Sequence, residues 1–289
     1  MQQITLDQCR LQAERRLSAV YPPGEARSMV RIIFEQLKGY TPVEMVIRAG
    51  DPVSDFIAGK VDEVVGRLLN HEPIQYIFGQ TQFYGITLKV NPDVLIPRPE
   101  TEQLVDMIVA DAGRREDLDV LDICTGSGCI AIALTRTLLF PHVTAVDISP
   151  AALAVARENV AATRTGVKLL QADALTMPSP AAPEYDIIVS NPPYIADSER
   201  ASMDANVLDY EPHLALFVPD ADPLRFYHAI CRYASSALRP GGRLYFELNP
   251  RFAGPLAAAM KADACWEDVT LIPDMQRLTR FLTATRSGL

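Results

Sequence analysis

The chain has 289 residues, of which 48% are apolar and 22% are charged, which is enough for two domains and a sizeable hydrophobic core. It contains no apolar run long enough to cross a membrane and no apolar core of the signal-peptide type near its N-terminus, so we expect a cytoplasmic protein without a membrane partner. Its net charge of −9 argues against nucleic acid as the main substrate or as a stable partner, because phosphate binding needs a basic surface.

The first 73 residues are predicted to form a small helical bundle. Apolar residues recur at helical spacing in each of its segments, and Thr41 followed by Pro42 is typical of a helix start, with the threonine as N-cap. The predicted helices are Ile4–Val20, Glu25–Leu37, a short helix that starts at Pro42, and Val53–Leu69.

A β-hairpin is predicted over residues 74–92, where aromatic and β-branched residues cluster around Gly79 and Gly85. We expect this hairpin to link two domains. The following stretch, Asn91–Glu100, contains three prolines and is therefore expected to be an extended loop. Helical spacing resumes over Thr101–Ala112.

Short apolar strands alternate with helices from Asp119 onward, and this pattern predicts a parallel sheet with helices on both faces. Two further strands near the C-terminus are expected to close the sheet as a hairpin, which makes it a mixed sheet of seven strands. We therefore expect an α/β domain over residues 93–289. The predicted strands are Val120–Cys124, Val143–Asp147, Lys168–Gln171, Asp186–Ser190, Arg243–Leu248, Asp268–Ile272 and Leu278–Thr283, with helices over Ile130–Leu139 and Pro150–Ala162.

A loop of small residues, Leu121–Gly128, ends the first of these strands and opens a helix. Such a loop allows a ligand to approach the backbone closely at a helix N-terminus. Asp147 ends the next strand, about 20 residues later, where a carboxylate can accept both ribose hydroxyls of a nucleoside. Asp173 follows the third strand and is placed to accept from an adenine amino group. Together these features predict a nucleoside site.

The glycine loop alone leaves the nucleoside undecided between NAD and S-adenosylmethionine. The segment Gly126–Ala131 satisfies the dinucleotide fingerprint. The acidic Asp122 before the loop instead suits a cationic ligand with an ammonium or sulfonium group.

The segment Ser190–Tyr194, Ser-Asn-Pro-Pro-Tyr, follows a buried strand and is predicted to be the catalytic loop. Its two prolines stiffen the backbone and have no N–H to donate, so the loop offers mainly acceptors, the Asn191 side-chain oxygen and the Pro192 carbonyl. Tyr194 adds a flat aromatic face. This set matches a planar NH₂ group with two donors, held in line with the methyl carbon of a sulfonium.

Neither a metal nor a strong base is predicted at these motifs. The cysteines are odd in number and no pair has metal-type spacing, so we expect reduced thiols at Cys9, Cys124, Cys129, Cys231 and Cys265. An oxidoreductase would need an acid/base residue beside the cofactor, and the histidines all lie outside the motifs, at His71, His142, His213 and His228.

The sequence resembles the HemK/PrmC family of class I methyltransferases, which methylate the glutamine of the Gly-Gly-Gln loop in peptide-chain release factors. The resemblance covers nearly the whole chain. Its most specific motifs are Ile96-Pro97-Arg98-Pro99-Glu100-Thr101 and Asn191-Pro192-Pro193-Tyr194, and further stretches are Glu72–Gly79, Leu121–Gly128, Val146-Asp147, Tyr210-Glu211-Pro212 and Asp274–Arg277.

The resemblance implies S-adenosylmethionine as cofactor and release factors as protein substrates. We also expect the enzyme to be a monomer. It implies a helical N-terminal domain that helps to recognise the release factor. The cofactor would lie against Cys124, Thr125, Gly126, Ser127 and Gly128, with Asp147 on the ribose, Asp173 and Ala174 near the adenine, and Asn191 adjacent. The substrate glutamine would lie against Asn191, Pro192, Pro193 and Tyr194, with Arg98 and Glu100 at the entrance.

This chain departs from the family pattern at several positions. Cys124 stands where the family commonly has glycine, and Ala174 where some members have an aromatic ring. In Glu247-Leu248-Asn249, Asn249 stands in place of the glycine of a more usual Glu-x-Gly. Two other substrates stay open for the same chemistry: the amino group of a flipped DNA or RNA base, and a ribosomal-protein glutamine.

Overall fold

The computed structural model describes residues 4–288 and divides into two compact units. One unit holds the chain up to Gly79 together with Ala205–Tyr210, and the other holds Gln80–Asp204 and Glu211 onward. Among the described residues, no helix is long and apolar enough to cross a membrane.

The first unit is a helical bundle around an apolar core that includes Leu17, Phe34 and Leu68. Thr41 caps its third helix, as the sequence predicts, and the structure adds a reciprocal capping box with Glu44. Its helices are α1 (Leu6–Leu17), α2 (Pro23–Lys38), α3 (Pro42–Ile47), α4 (Asp55–Leu69), α5 (Ile74–Phe78) and α9 (Ala205–Leu208).

The prediction that β-structure begins at Ile74 is wrong, because Ile74–Phe78 forms the one-turn helix α5. Pro73 stands at its N-cap and Gly79, with φ of 71°, ends it in the left-handed region. Ile74 is buried in the bundle core, so tertiary packing overrides the β-propensity of this stretch. The hairpin itself is confirmed further on, as β1 (Gln80–Phe83) paired with β2 (Ile86–Lys89) in the second unit.

The second unit is built on the mixed seven-stranded sheet that the sequence predicts. The strand order across it is β10-β11-β9-β6-β3-β4-β5, and β11 runs antiparallel to both of its neighbours. Its strands are β3 (Asp119–Ile123), β4 (His142–Asp147), β5 (Lys168–Gln171), β6 (Tyr185–Ser190), β9 (Leu238–Glu247), β10 (Trp266–Pro273) and β11 (Thr279–Arg286).

Apolar clusters cover this sheet on its two faces. One cluster contains Val120 and Ile187, and the other contains Leu121 and Ile188, as expected for strands buried on both sides. The covering helices are α6 (Pro99–Ala112), α7 (Cys129–Thr137), α8 (Pro150–Thr163), α10 (Arg225–Ala237) and α11 (Ala253–Ala262). Short elements complete the unit: strands β7 (Ile195–Ala196) and β8 (Phe217–Val218), and 3₁₀ turns at Asp197–Ser202, His213–Ala215 and Pro250–Phe252.

Candidate active site

The glycine loop and the Asn-Pro-Pro-Tyr loop leave neighbouring strands at the point where the strand order reverses. β3 and β6 pair in parallel with Ile123 opposite Ser190, so the next residues, Cys124 and Asn191, start at the same edge of the sheet. The Ser190 hydroxyl donates to the Ile123 carbonyl over 2.6 Å and ties the two strand ends together. Open α/β sheets bind ligands in the crevice at such a reversal.

A cavity of about 440 Å³ opens at this edge, a size typical of small-molecule sites. It gathers most of the residues predicted for the site: Arg98, Cys124, Thr125, Gly126, Ser127, Asp147, Asp173, Ala174, Asn191 and Pro193. Four other predicted residues lie outside its wall: Glu100, Gly128, Pro192 and Tyr194.

The glycine loop adopts a left-handed backbone at three positions. Cys124, Gly126 and Gly128 have φ of 63°, 55° and 82°, in the region that favours glycine. An added Cβ at Gly128 would stand 3.4 Å from the Ala156 Cβ, so this glycine also lets two helices approach. Cys124 carries a conformation that costs roughly 1–2 kcal/mol for a residue with a Cβ, which accounts for the glycine that the family commonly has there.

Asp147, at the end of β4, braces the glycine loop. Its Oδ2 accepts from the Gly126 N–H over 2.9 Å, and its Oδ1 accepts from the Ser149 N–H over 2.9 Å. Burial raises the pKa of Asp147, and the backbone donors oppose that rise. Each carboxylate oxygen keeps a second lone pair, so the side chain can accept two further donors from the cavity.

Asp122 does not face the cavity, so the idea that it contacts a bound cation is not supported. The side chain is fully buried, it forms no part of the cavity wall, and its Oδ2 accepts from the Thr125 hydroxyl over 2.6 Å. Burial raises the pKa of Asp122 to about 7. Its observed contact is with the glycine loop.

Asp173 and Ala174 lie in the cavity wall just beyond β5. The Asp173 Oδ1 accepts from the Leu175 N–H over 2.9 Å, and within residues 4–288 its Oδ2 accepts no hydrogen bond. Ala174 is buried and small. This part of the wall therefore offers one free acceptor beside an apolar surface.

The Asn-Pro-Pro-Tyr loop is held by polar contacts at both ends. The Asn191 Nδ2 donates to the Thr101 hydroxyl over 3.4 Å, and the Thr101 hydroxyl donates to Glu247 Oε2 over 2.7 Å. At the other end, the Tyr194 hydroxyl donates to Glu247 Oε1 over 3.1 Å. Within residues 4–288, neither the Asn191 Oδ1 nor the Pro192 carbonyl accepts a hydrogen bond, so the loop keeps two acceptor oxygens uncommitted.

Asn249 adds contacts to this loop that a glycine would lack. Its Nδ2 donates to the Tyr194 carbonyl over 3.2 Å and to Glu199 Oε2 over 3.0 Å. Its Oδ1 accepts from the Arg251 N–H over 3.0 Å. The departure from the usual glycine therefore ties the end of the loop to the following 3₁₀ turn.

Arg98 lines the cavity, and its guanidinium pairs with the buried carboxylate of Glu211. The other oxygen of Glu211 accepts from the Ile96 N–H over 3.1 Å. One carboxylate thus fixes the proline-rich loop at this side of the cavity. Glu100 stands in the first turn of α6, outside the cavity wall.

Sequence reasoning gave no individual role to three residues that organise the site: Thr101, Glu211 and Glu247. The sequence marks Thr101 as the start of a helical segment and as the end of a family motif, and it marks Glu211 only as part of another family motif. Glu247 follows the apolar run Leu244–Phe246 at the carboxyl end of a strand. A buried carboxylate costs free energy unless it is paired. Its position after an apolar strand is therefore the feature of the sequence that indicates a role for Glu247.

The described residues hold no evident metal site. No group of three or more His, Cys, Asp or Glu within residues 4–288 is arranged to hold a metal. The residues that line the cavity include no histidine, and its polar side chains are carboxylates, amides, hydroxyls, thiols and the guanidinium groups of Arg98 and Arg225.

The sheet order and the two loops at its switch point define a class I methyltransferase. Residues 100–208 match the family described as methyltransferase small domain, and residues 8–79 match the PrmC N-terminal domain. A crystal structure of a methyltransferase from Pyrococcus furiosus has a TM-score of 0.51 at 18% identity and covers 78% of this chain and 98% of that one. This likeness concerns the fold alone.

Two curated relatives narrow the assignment. The release factor glutamine methyltransferase of Bacteroides thetaiotaomicron is 42% identical over 93% of this chain and 96% of its own. The protein of the same name in Flavobacterium psychrophilum is 40% identical over 83% of this chain and 85% of its own. The chain belongs to the release factor glutamine methyltransferase family.

Proposed function

We propose that this chain transfers a methyl group from S-adenosylmethionine to the side-chain amide nitrogen of the glutamine in the Gly-Gly-Gln motif of release factors. Relatives that match 93% and 83% of the chain are named for release factor glutamine methylation. S-adenosylmethionine, rather than NAD, is the cofactor of this class of enzyme. The observation that carries the proposal is the pair of uncommitted acceptors, Asn191 Oδ1 and the Pro192 carbonyl, on the loop beside the cavity.

The donor and acceptor chemistry of the cavity fits the cofactor. Asp147 has two lone pairs left for the ribose hydroxyls, and the Asp173 Oδ2 is free to accept from the adenine amino group. Cys124–Ser127 line the same cavity just before Gly128, the N-cap of α7, and Ala174 offers the adenine an apolar surface. When bound, the cofactor supplies an electrophilic methyl carbon on a positively charged sulfur.

The Asn-Pro-Pro-Tyr loop holds the glutamine amide. Its two N–H groups would donate to the Asn191 Oδ1 and the Pro192 carbonyl, which are acceptors on a backbone stiffened by Pro192 and Pro193. Tyr194 is fixed by Glu247 and flanks the amide plane. Such a rigid pair of acceptors lowers the barrier by orientation and preorganised electrostatics. The new N–C bond would form as the methyl–sulfur bond breaks, with S-adenosylhomocysteine as the leaving group and one amide proton released to water.

Recognition of the release factor would involve two further regions. The helical bundle corresponds to the PrmC N-terminal domain, which supports a role in binding the protein substrate. Arg98 is anchored by Glu211 in the cavity wall, and Glu100 precedes Thr101 on α6. We place both residues at the entrance for the glutamine.

The test is a side-by-side methylation assay with radiolabelled S-adenosylmethionine. Purified release factor, the same factor with its Gly-Gly-Gln glutamine replaced by alanine, ribosomal proteins and duplex DNA would be offered to equal amounts of enzyme. We expect label only in the unmodified release factor, on the side-chain amide of that glutamine when the labelled peptide is mapped. Label in DNA or in a ribosomal protein, with none in the release factor, would overturn the proposal.

A further inference from the structure

We propose that Glu247, acting through Thr101, fixes which end of the Asn191 amide faces the substrate, and so makes the site select an amide over a carboxylate. Both are positioning residues, since neither needs to touch the reacting atoms. The inference rests on the proposed function of Asn191, and it concerns why that side chain presents its oxygen.

The relay consists of three side chains from three separate elements. Glu247 ends β9, Thr101 stands in the first turn of α6, and Asn191 follows β6. Glu247 and Thr101 are only 2% and 3% exposed, so water does not compete for their hydrogen bonds. The links are 2.7 Å from the Thr101 hydroxyl to Glu247 and 3.4 Å from Asn191 to that hydroxyl.

The direction of the relay follows from what each group can do. An ionised carboxylate accepts hydrogen bonds and cannot donate, so the Thr101 hydroxyl gives its single proton to Glu247. The Thr101 oxygen then has only lone pairs for Asn191, which must turn its NH₂ towards it. The Asn191 Oδ1 is thereby left for the substrate.

The opposite orientation of Asn191 is penalised twice. The Asn191 Oδ1 would face the Thr101 oxygen, whose proton is donated to Glu247. Two acceptor oxygens would then lie opposite each other without a hydrogen bond. The Asn191 NH₂ would face the substrate NH₂, and two donors would meet. Buried polar groups left unpaired cost about 1–3 kcal/mol each, which is enough to hold one orientation.

The groups around Glu247 shift its pKa in opposite directions. Burial raises the pKa of Glu247 and the negative charge of Glu100 adds to that rise, whereas the hydrogen bonds from Thr101 and Tyr194 and the positive charge of Arg280 oppose it. The Tyr194 hydroxyl also donates to the second oxygen of Glu247. One carboxylate therefore holds both ends of the Asn-Pro-Pro-Tyr turn as an acceptor.

The relay predicts that substrate selectivity depends on a hydroxyl that need not touch the substrate. Thr101→Val replaces the hydroxyl by a methyl group of similar size and leaves Asn191 free to turn either way. A turned amide offers NH₂, which suits a carboxylate. We therefore expect Thr101→Val to lower kcat by about tenfold or more, and to reduce by a similar factor the ratio of affinities for release factors with glutamine and with glutamate at the target position.

The experiment measures kcat, KM, cofactor Kd and that affinity ratio for four enzymes: wild type, Thr101→Val, Thr101→Ser and Thr163→Val. Thr101→Ser keeps the hydroxyl and should restore the ratio to within about threefold of wild type. Thr163→Val makes the same change on α8, where the hydroxyl bonds to the Asn159 and Val160 carbonyls of its own helix and to the nearby Thr165 hydroxyl, and should leave every value near wild type. The cofactor Kd should stay within about threefold in all four.

The possible outcomes separate the two ideas. If the wild type does not methylate release factor, the proposed function fails. If the wild type is active but Thr101→Val keeps both its kcat and its preference for glutamine, the relay is wrong. A variant that loses kcat while its glutamine-to-glutamate ratio stays at the wild-type value also overturns the relay, because general misfolding would produce that result.

Discussion

The two loops at the sheet edge are stabilised in different ways. The glycine loop depends on backbone: left-handed residues, and an Asp147 carboxylate that accepts from main-chain N–H groups. The Asn-Pro-Pro-Tyr loop depends on side chains, since Glu247 holds Asn191 through Thr101 and holds Tyr194 directly. A loop held by backbone contacts tolerates a side-chain change such as the cysteine at position 124, whereas a loop held by a side-chain relay is sensitive to residues that are distant in sequence.

The largest effect is expected from a change at Asn191, which tests whether the Asn-Pro-Pro-Tyr loop serves methyl transfer rather than cofactor binding. We expect Asn191→Ala to lower kcat by about 100- to 1000-fold, the range seen when one preorganised polar contact is lost. Cofactor Kd should change by less than about threefold, because the cofactor contacts belong mainly to the other loop. Steady-state kinetics with release factor and calorimetric titration of the cofactor measure the two quantities. A tenfold higher cofactor Kd with an unchanged kcat would contradict this assignment, because Asn191 would then serve cofactor binding and not methyl transfer.

We expect folding stability to depend on pH through Asp122, whose buried carboxylate accepts from Thr125 of the glycine loop. The pKa of Asp122 is about 7 in the folded chain against 3.8 ordinarily, because the side chain is buried. Between these values the unfolded chain has lost the proton and the folded chain keeps it, so stability falls as pH rises from about 4 to about 7.

Asp122→Asn removes this proton uptake. We expect the variant to gain on the order of 2–4 kcal/mol relative to wild type between the two ends of that pH range, as measured by denaturant unfolding at several pH values. Parallel curves for the two proteins would show that Asp122 ionises normally. Asp93→Asn, at an exposed position, serves as a matched control and should parallel wild type.

A change at Asp147 tests whether the glycine loop and its carboxylate bind the cofactor. Asp147→Asn places an NH₂ against one of the two main-chain N–H groups that the carboxylate now accepts. Hydrogen bonds to charged groups are worth about 1.5–3 kcal/mol, so cofactor Kd should rise by about 10- to 100-fold. The kcat at saturating cofactor should fall much less. Titration and kinetics at several cofactor concentrations separate the two effects, and an unchanged Kd would rule out Asp147 as a cofactor contact.

The smallest effect is expected at Cys124. Cys124→Gly relieves a left-handed conformation but adds chain entropy to the unfolded state, and these changes nearly cancel. We expect the free energy of unfolding to change by less than about 1 kcal/mol, while Cys124→Ala keeps the backbone strain as a control. A large loss of stability in both variants would mean that the Cys124 thiol, and not its backbone, matters here.

Much of the fold could be predicted from the sequence because its signals are local. Apolar runs of five or six residues between helical segments mark the parallel strands, and the Thr41–Pro42 pair marks a helix start. The prediction fails at Ile74–Phe78, where β-type residues form a helical turn because Pro73 and Gly79 bracket it and the bundle core buries it.

The site was predictable only in part, for a related reason. Loops that follow a strand end can be recognised from their glycine, proline and acidic residues. Asp147 and Asn191 could therefore be predicted as site residues. Thr101 and Glu247 are 146 residues apart, and only the folded sheet brings them together. Asp122 looked like a ligand because of its position in the motif, but its strand turns it into the core.

The most direct test of the account is a crystal structure of the enzyme with S-adenosylhomocysteine and a peptide that contains Gly-Gly-Gln. We predict that the glutamine amide nitrogen lies about 2.7–3.2 Å from the Asn191 Oδ1 and points towards the sulfur. A peptide amide bound elsewhere, or another protein group between Asn191 and the sulfur, would contradict it.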